Sequence, residues 1–337
     1  MEKILTVSIA AYNVEQYLEK TLESFVCDEY HMNKMEILII NDGSNDRTIE
    51  IAKKYEMNYP NTFIAVDKEN GGYGSTINTS LRMAKGKYFR TVDGDDWVET
   101  ESLGTYIDLL EESQSDIVVT KFTKVNDADG SYERVDDSIV YDGVEKGIEE
   151  VISRGFLSMH QSAYKTIFLK SIDLKITEKC FYTDLEYMLK PAIYLKTCIC
   201  YDINVYMYRI GREGQSVQLK SWQKNIDQAT KVTLNLCEYF EKVNVKSCSH
   251  SMFNYVRDCI IDSIQSKYRI LLSLPGYRRA RKKTIEFDKK LKDTSRLLYD
   301  LSKMGGEKKH SIIIRLSRVF NYSCMFIAYL IVRTKSR

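Results

Sequence analysis

Three carboxylates crowd into the four residues of Asp93-Gly94-Asp95-Asp96, directly after an apolar run. Like charges this close repel each other unless a cation or hydrogen-bond donors compensate them. Carboxylate oxygens are ligands that Mg²⁺ and Mn²⁺ prefer, with phosphates and water completing the coordination shell. Gly94 permits a tight backbone that turns its neighbours towards one ion. The segment predicts a metal site held by Asp93 and Asp95; the alternative is a polar turn in which Asp96 caps the next helix.

Two further polar segments follow the first two apolar runs of the chain. In the first, Tyr12 could stack on a base, and the alternative is a strand-end turn with Asn13 as a helix N-cap. In the second, Asp42 is placed to accept hydrogen bonds from a uracil or a ribose. Asp46 more simply caps the helix that begins at Thr48. Together these residues favour a nucleoside-binding site.

A glycine-rich segment, Asn70–Ser75, follows the third apolar run and Asp67. Its backbone N–H groups could contact a phosphate or a ribose at the start of a helix. It lacks the GxxxxGK[ST] pattern of a P-loop, and it is not a GxGxxG motif after the first strand. The segment therefore excludes a P-loop and argues against a Rossmann dinucleotide site.

Short apolar runs alternate with helical segments over the first 125 residues, which predicts a parallel sheet covered by helices on both faces. The runs are Leu5–Ala10, Glu36–Ile40, Thr62–Val66, Lys87–Val92 and Asp116–Phe122. The helical stretches are Val14–Phe25, Thr48–Tyr55, Ser75–Ala84 and Leu103–Glu112. Ligands of open α/β sheets bind at the carboxyl edge of the strands, where nearly all of these motifs lie.

The second half of the chain has mixed elements followed by helices. We predict a helix over Asp184–Leu195, a strand over Cys198–Arg209, and then helices over 221–246, 250–273 and 277–303. A last apolar segment covers Ile312–Val332.

Taken in order, the motifs resemble the family 2 glycosyltransferases, an inverting group with the GT-A fold that includes enzymes of bacterial surface and capsular polysaccharides. The matching segments are Val7–Asn13, Asn41–Ser44, Asn70–Gly72 with Asn78, Ala84–Tyr88 and Asp93–Asp96. Ala10 stands where the family usually has Pro, a change that affects loop stiffness rather than chemistry. The resemblance implies a GT-A-like, mostly parallel sheet between helices, with a helical C-terminal appendage.

The resemblance also implies which residues bind the nucleotide-sugar donor. They are Ala11, Tyr12, Asn13, Asp42, Asp67, Asn70, Gly71, Asn78, Asp93, Gly94, Arg209, Arg212 and Ser216. Asp93 and Asp95 would hold Mn²⁺ or Mg²⁺. The leaving nucleoside diphosphate gains negative charge as the sugar bond breaks, and a divalent cation stabilises that charge. For the arginines, the alternative is a solvated surface position.

An inverting transfer needs one base for the acceptor hydroxyl. By resemblance the candidate is Asp184, although Thr183 stands where the family has Glu, and Asp96 and Glu186 are rivals. The alternative is that Thr183 or Asp184 only caps the following helix. His160 lies where relatives line the acceptor cleft, and its alternative is a structural role.

The charge of the chain is unevenly distributed. Residues 277–337 hold 17 Lys and Arg against 5 Asp and Glu, whereas residues 1–276 hold 32 against 42. Within the last apolar segment, the uninterrupted part Val319–Val332 is too short to span a bilayer, which takes about 20 residues. It fits a helix in the membrane interface with Arg315 and Arg318 at headgroup level; the alternatives are a packing helix and a dimer contact. We do not expect nucleic acid as a partner, because no nucleic-acid-binding fold is recognisable.

Eight cysteines without CxxC spacing argue against zinc and against a disulfide framework. The N-terminus becomes polar too early for a signal peptide, so we expect a cytoplasmic protein, peripheral at the inner face of the membrane.

These observations predict a catalytic domain over 1–220, with nucleotide-sugar binding in 1–98 and acceptor binding in 126–220, and a helical region over 221–337. The expected function is transfer of a hexose or N-acetylhexosamine from a UDP-sugar to a lipid-linked saccharide in surface polysaccharide biosynthesis. The alternatives are a sugar nucleotidyltransferase and a non-catalytic, membrane-associated carbohydrate-binding scaffold.

Overall fold

The computed structural model describes residues 2–155, 157–212, 215–243, 248–304, 308–323 and 325–335. The strands are β1 (Leu5–Ala11), β2 (Met35–Asp42), β3 (Phe63–Lys68), β4 (Tyr88–Asp93), β5 (Trp97–Val98), β6 (Ile117–Asn126), β7 (Tyr132–Arg134), β8 (Glu145–Gly147), β9 (Ser162–Lys165) and β10 (Thr197–Ile210). The helices are α1 (Leu18–Glu23), α2 (Glu29–Lys34), α3 (Thr48–Asn58), α4 (Tyr73–Met83), α5 (Thr100–Glu112), α6 (Ile148–Ile152), α7 (Thr166–Ser171), α8 (Asp184–Ala192), α9 (Leu219–Lys224), α10 (Ile226–Lys242), α11 (His250–Ser273), α12 (Tyr277–Thr294), α13 (Arg296–Leu301), α14 (Lys308–Val319) and α15 (Met325–Lys335).

The strands form one mixed sheet in the order β3-β2-β1-β4-β9-β6-β10-β5, with β7 beside β6 and β8 beside β10. β3, β2, β1 and β4 are parallel to one another, and β6 is parallel to β10. β9 is antiparallel to both of its neighbours, and β5 is antiparallel to β10. β2 is buried along its whole length, as expected of a strand covered on both faces. The prediction of an α/β fold with a mostly parallel sheet is confirmed.

The register of the parallel strands brings the ends of several motifs to one edge of the sheet. Ala10 in β1 pairs with Asp93 in β4, and Ala11 pairs with Asn41 in β2. Asn41 in turn pairs with Asp67 in β3. The residues that follow these strands therefore share one edge, as the sequence predicted.

The first predicted helix is shorter than its apolar periodicity suggested. Within Val14–Phe25 only Leu18–Glu23 is α-helical, although Leu18, Leu22 and Phe25 are buried as the periodicity predicts. The short helix α2 was not predicted from the sequence.

Three predicted C-terminal segments are interrupted. The helix expected over 221–246 divides at Asn225, between α9 and α10. The helix expected over 277–303 divides at Ser295, which leaves the helical conformation at φ −146° and caps α13 with its side chain. The segment Ile312–Val332 divides between α14 and α15, where Asn321 and Tyr322 adopt the left-handed φ values of 45° and 62°. A left-handed residue ends an α-helix, so this segment is two short helices rather than one.

The chain divides into two compact units. The first, Met1–Lys179 with Leu195–Glu213, contains the whole sheet. The second, Cys180–Tyr194 with Gly214–Arg337, consists of helices. The segment that carries α8 clusters with the second unit, whereas the sequence-based division placed it within 1–220.

Candidate active site

The acidic loop after β4 is a tight turn pressed against the end of β1. The Gly94 N–H donates to the Ala10 carbonyl at 3.0 Å, and the Asp96 N–H donates to the Asp93 carbonyl at 3.0 Å. A Cβ atom at Gly94 would lie 2.8 Å from the Ala10 carbonyl oxygen. A side chain there would force the turn away from β1, so glycine keeps the flanking carboxylates at the sheet edge.

Asp96 is an internal hydrogen-bond acceptor and is only 1% exposed. Its Oδ2 accepts from the Tyr206 hydroxyl at 2.7 Å, and its Oδ1 accepts from the Arg209 N–H at 2.8 Å. Burial, with Asp95 and Asp93 close by, raises its carboxyl pKa well above the usual value. Helix α5 begins at Thr100, so Asp96 does not cap it. A base must reach the acceptor hydroxyl. The Asp96 carboxylate is buried and both of its oxygens accept hydrogen bonds from the chain, so it does not fit that role.

Tyr206 is a site residue that the sequence did not reveal. Its hydroxyl donates to Asp96 and accepts the backbone N–H of Asp93 at 3.2 Å. One tyrosine of β10 thus fixes both ends of the acidic loop. Spacing alone could not identify it, because the contact spans 110 residues of sequence.

Both predicted arginines contact Asp95, Arg212 through its carboxylate and Arg209 through its backbone carbonyl. Arg212 donates from Nε and from Nη2 to Oδ2 of Asp95, at 2.7 Å each. Arg209 donates from Nε to the Asp95 carbonyl at 2.8 Å and is held by Asp127. The side chains of Asp95 and Arg212 remain 17% and 27% exposed. Arg209 is therefore fixed in the loop, while the Asp95–Arg212 pair is open to solvent.

The carboxylates of this loop fit a divalent cation whose remaining ligands are phosphates and water. Among the residues described, no group of three or more His, Cys, Asp and Glu side chains could hold a metal. Mg²⁺-type sites commonly use one or two carboxylates, with phosphates and water as the remaining ligands. The Asp95 carboxylate already binds one positively charged group in this structure, the guanidinium of Arg212. Asp93 and Asp95 therefore fit a metal that arrives with a diphosphate.

Asp42 shapes the glycine-rich loop. It is 3% exposed, and its Oδ1 accepts from Lys68 Nζ at 2.6 Å and from the Gly71 N–H at 2.9 Å. Its Oδ2 accepts from the Gly72 N–H at 2.7 Å, and Ser75 Oγ lies 3.2 Å from Oδ1. Both oxygens are engaged by the chain itself. The predicted contact of Asp42 with a nucleoside stays a prediction.

The loops after β1, β2 and β3 are tied into one rim. Asn13 has a left-handed φ of 52°, and its N–H donates to Ser44 Oγ at 3.0 Å. Asn41 Nδ2 donates to Asp67 Oδ1 at 2.6 Å. Beside these bonds the ring of Tyr12 is 49% exposed. Tyr12 thus offers an open aromatic face on a fixed rim, as stacking on a base requires.

The other two predicted asparagines, Asn70 and Asn78, hold backbone segments. Asn70 Nδ2 donates to the Asp42 carbonyl at 2.8 Å. Asn78 donates to the Ile176 carbonyl at 2.9 Å and to Glu178 at 3.0 Å, and its Oδ1 accepts the Ile176 N–H. Each therefore supports the loops around the rim, and a direct contact of either with the donor stays a prediction.

His160 lies within a group of aromatic rings. Its ring stacks on Phe122 at 5.2 Å and on Tyr208 at 4.3 Å, and it meets Tyr206 edge-on at 4.8 Å. Burial, with Arg90 nearby, lowers its pKa to about 3. The ring is thus a neutral packing element. Its predicted role in acceptor binding is untested by this arrangement and stays a prediction.

In the helical unit, Asp184 begins α8 and its side chain is exposed, while the protein atoms around it raise its carboxyl pKa by desolvation. Thr183 occupies the N-cap position but makes no capping side-chain hydrogen bond. Glu186 is fully buried and forms an ion pair with Lys190 at 3.0 Å. Of the three candidate bases, Asp184 has the accessibility that the role needs.

The predicted Ser216 lies beside an aromatic stack in the same unit. Its carbonyl accepts from the Tyr182 hydroxyl at 3.0 Å, and its side chain is exposed. The Tyr182 ring stacks on Trp222 at 3.5 Å, and Lys267 Nζ lies 4.4 Å from the Trp222 ring. Tyr182 has a left-handed φ of 66°. The sequence analysis did not identify this stack.

The sheet unit also contains a polar cavity of about 520 Å³, partly within the predicted acceptor-binding part. It is lined by Glu99, Ser102, Lys121, Phe122, Arg134, Val135, Asp136, Asp137, Ile139, Tyr141, Asp202, Ile203 and Asn204. Lys121 pairs with Asp202 at 2.7 Å, and Asn204 donates to Glu99 at 3.1 Å. Four carboxylates against two cations line this space, so it does not favour an anionic ligand.

Known glycosyltransferases are similar to this chain in sequence and in structure. The sequence model described as glycosyl transferase family 2 matches residues 6–176. GlyA of Streptococcus pneumoniae serotype 4, a glycosyltransferase, is 26% identical over 310 residues, which is 83% of this chain and 43% of GlyA. The chain therefore spans less than half the length of that relative.

A second relative is similar in sequence and in structure. The poly(ribitol-phosphate) β-N-acetylglucosaminyltransferase TarS of Staphylococcus aureus is 28% identical over 121 residues, which is 36% of this chain and 21% of TarS. The crystal structure of its residues 1–349 superposes with a TM-score of 0.67 and 18% identity, covering 97% of this chain and 91% of that one. A structure of the same TarS fragment contains UDP-GlcNAc. The structural similarity confirms the GT-A-like fold.

Proposed function

The chain belongs to glycosyl transferase family 2, and we propose that it transfers a hexose or N-acetylhexosamine from a UDP-sugar to a saccharide, with inversion at the anomeric carbon. The observation that carries this proposal is the grouping of carboxylates and guanidinium groups at one sheet edge. There Asp93 ends β4 and Asp95 follows it, while Arg209 lies at the end of β10 and Arg212 just after it. A diphosphate donor needs both kinds of group: carboxylates for its cation and guanidinium groups for its oxygens.

The chain's own residues would bind and orient the donor. Tyr12 offers its exposed ring to the base, and the loop held by Asp42 supplies a rigid wall beside it. Asp93 and Asp95 would hold Mn²⁺ or Mg²⁺, which when bound supplies positive charge beside the donor phosphates. Arg212, released from Asp95, has the planar donor geometry that suits a phosphate.

The transfer itself is a single displacement. The acceptor oxygen bonds to the anomeric carbon while the bond from that carbon to the β-phosphate oxygen breaks, and the electron pair leaves with the nucleoside diphosphate. Asp184 accepts the proton of the acceptor hydroxyl. A carboxylate whose pKa is raised above the usual value is a stronger proton acceptor, which supports its choice over Glu186.

For the acceptor we propose a saccharide, lipid-linked, in the synthesis of a cell-surface polymer. The support is the named function of TarS, which adds N-acetylglucosamine to a poly(ribitol-phosphate) chain, and its structure with UDP-GlcNAc. The regions similar to this chain cover 43% of GlyA and 21% of TarS, so in both relatives they are part of a longer protein.

A panel of nucleotide sugars tests this function through the metal-dependent release of nucleoside diphosphate. We expect release with a UDP-sugar and Mn²⁺, and none after chelation of the metal. Asp95→Asn should abolish release, whereas the surface control Glu238→Gln, in an exposed pair with Lys242, should leave it unchanged. Release that continues in Asp95→Asn would contradict the assigned role of the acidic loop.

A further inference from the structure

The last two described helices, α14 and α15, pack one side against the helical unit. In α14 Ile314 is 1% exposed. In α15 Met325, Ala328 and Val332 are buried in a cluster with Leu272 of α11. Their spacing of three, four and seven residues marks one stripe of the helix. Each helix therefore already has a side that the protein core covers.

Arg318 belongs to the inward side of α14. Its Nε donates to Asp288 at 2.8 Å, and it also bonds the Tyr268 hydroxyl and the Tyr299 carbonyl. Tyr322 donates to the same Asp288 carboxylate. The expectation that Arg318 lies at the headgroups of a membrane is wrong, because a buried carboxylate holds its guanidinium inside the unit. This ion pair fixes the orientation of α14.

The outward side of both helices is apolar too. Large apolar side chains with 47–69% exposure form what we term the apolar face: Ile312, Val319, Phe320, Phe326, Ile327 and Leu330. Ile312 and Val319 are seven residues apart on one stripe of α14, and Phe326, Ile327 and Leu330 adjoin on α15. Helices in water expose polar residues on the side that faces the solvent. An apolar outward side of this size marks an interaction surface.

Cations border the apolar face. Tyr277 contacts Phe326 edge-on at 5.2 Å, and the exposed Arg278 and Arg279 follow it directly in α12. Arg315 is exposed on α14, three residues after Ile312. The charge of residues 277–337, 17 Lys and Arg against 5 Asp and Glu, has the same sign. This combination of apolar side chains and cations fits an anionic lipid surface.

The helices are too short to cross a bilayer. α14 has 12 residues and α15 has 11, whereas a spanning helix needs about 20. No helix among the described residues is long and apolar enough to span a membrane. Contact with a bilayer would therefore be in the plane of its interface.

We propose that the apolar face docks in the interfacial layer of an anionic bilayer, with Arg278, Arg279 and Arg315 at the level of the lipid phosphates. Phe320 and Phe326 would enter the boundary between headgroups and acyl chains, while the Arg318–Asp288 pair keeps the two helices on the protein. This docking is independent of the chemistry of the sheet unit, and its test needs no activity.

Co-sedimentation of the full chain with vesicles tests the docking. We expect the chain to pellet with vesicles that contain phosphatidylglycerol, to pellet weakly with phosphatidylcholine alone, and to be released by high salt. The triple variant Phe326→Ser, Ile327→Ser, Leu330→Ser should bind more than about tenfold less, because three exposed apolar side chains leave the interface. A matched triple control at exposed positions elsewhere, Met57→Ser, Ile167→Ser, Leu297→Ser, should bind like the wild type.

Three results would overturn the docking. The first is a wild-type chain that does not pellet with phosphatidylglycerol vesicles, and the second is a triple variant that pellets equally well. The third is that light scattering without lipid shows a dimer for the wild type and a monomer for the triple variant. The apolar face would then join two copies of the chain. Should the triple variant unfold, Arg278→Gln with Arg279→Gln replaces it, and undiminished binding to phosphatidylglycerol contradicts the proposal.

Discussion

Arg212 donates from Nε and Nη2 to a single carboxylate oxygen of Asp95, with both nitrogen–oxygen distances at 2.7 Å. The guanidinium would therefore compete with the proposed metal for the Asp95 carboxylate. The two side chains keep 27% and 17% of their exposure, so solvent and a ligand can reach the pair. We expect a divalent cation with a diphosphate to displace Arg212, whose guanidinium would then be available as a hydrogen-bond donor to the phosphates.

Arg212→Ala should separate metal binding from donor binding. Without the competing guanidinium, Mn²⁺ alone should bind at least about two- to fivefold more tightly, because the ion pair no longer has to open. Binding of UDP with Mn²⁺ should weaken, because a phosphate donor is lost. Calorimetry with Mn²⁺ alone and with Mn²⁺ and UDP measures both. Unchanged Mn²⁺ affinity would show that Arg212 does not compete for Asp95.

The neighbouring carboxylates Asp95 and Asp96 should differ in what they stabilise. Asp95→Ala should abolish transfer and leave stability nearly unchanged, since the repulsion relieved among three crowded carboxylates offsets the lost pair with Arg212. Asp96→Ala should cost about 1–3 kcal/mol, because it leaves the Tyr206 hydroxyl and the Arg209 N–H without their acceptor. Urea unfolding of both variants measures the contrast. Equal losses of stability would contradict the division of roles.

Asp42→Asn should loosen the glycine-rich loop. The asparagine has an NH₂ group in place of one carboxylate oxygen, and this group would face another donor, either the Gly72 N–H or Lys68 Nζ. Because two donors cannot bond each other, the free energy of unfolding should fall by about 1–3 kcal/mol. UDP affinity should fall with stability. For stability alone, Asp67→Asn is the matched control, because Asp67 is exposed and bonds only Asn41 among the contacts described. If both substitutions cost the same, Asp42 does not organise the loop.

Asp184→Asn should retain metal-dependent UDP binding and lower transfer about a hundredfold to ten-thousandfold, the usual effect of removing a general base. Glu186→Gln should instead lower stability, because it breaks a buried ion pair with Lys190. Transfer rates and UDP titration measure the two effects. Wild-type transfer by Asp184→Asn would place the base on another residue.

His160 should make stability depend on pH. Its pKa is about 3 in the folded protein and near 6.5 when unfolded, so the unfolded state binds more protons between these values. The contribution of neutral His160 to the free energy of unfolding is therefore fully present above about pH 6.5 and is lost as pH falls towards 3. Between about pH 7.5 and pH 5 the free energy of unfolding should fall by about 1–2 kcal/mol. His160→Phe should remove this loss, while the exposed His250→Gln should keep it. Urea unfolding of the wild type and both variants at pH 7.5 and pH 5 measures these differences, and an equal loss in His160→Phe would contradict the assignment.

The sheet and the acidic loop could be predicted because both depend on local patterns. Apolar runs identify the strands, and parallel strands bring the residues after them to one edge. Asp93, Asp95 and the rim residue Tyr12 meet there through the register of β1 with β4 and β2. Composition and spacing contain that information.

The hydrogen-bond partners could not be predicted, because they depend on residues far apart in sequence. Asp42 lies at the end of a strand, close to the edge where Asp95 lies, yet four donors of the chain surround it. Arg318 lies in an apolar segment, yet Asp288, thirty residues earlier, turns it inward. The break between α14 and α15 was hidden as well, since Asn321 and Tyr322 show their left-handed conformation only in the structure.

The most direct test of the account is calorimetric titration of UDP into the chain with Mn²⁺ and again with a chelator. The account predicts binding that requires the metal in the wild type and is lost in Asp95→Asn, whose thermal unfolding should match the wild type. UDP binding that is equally strong without metal, or absent under both conditions, would contradict a metal-held diphosphate at the edge of this sheet.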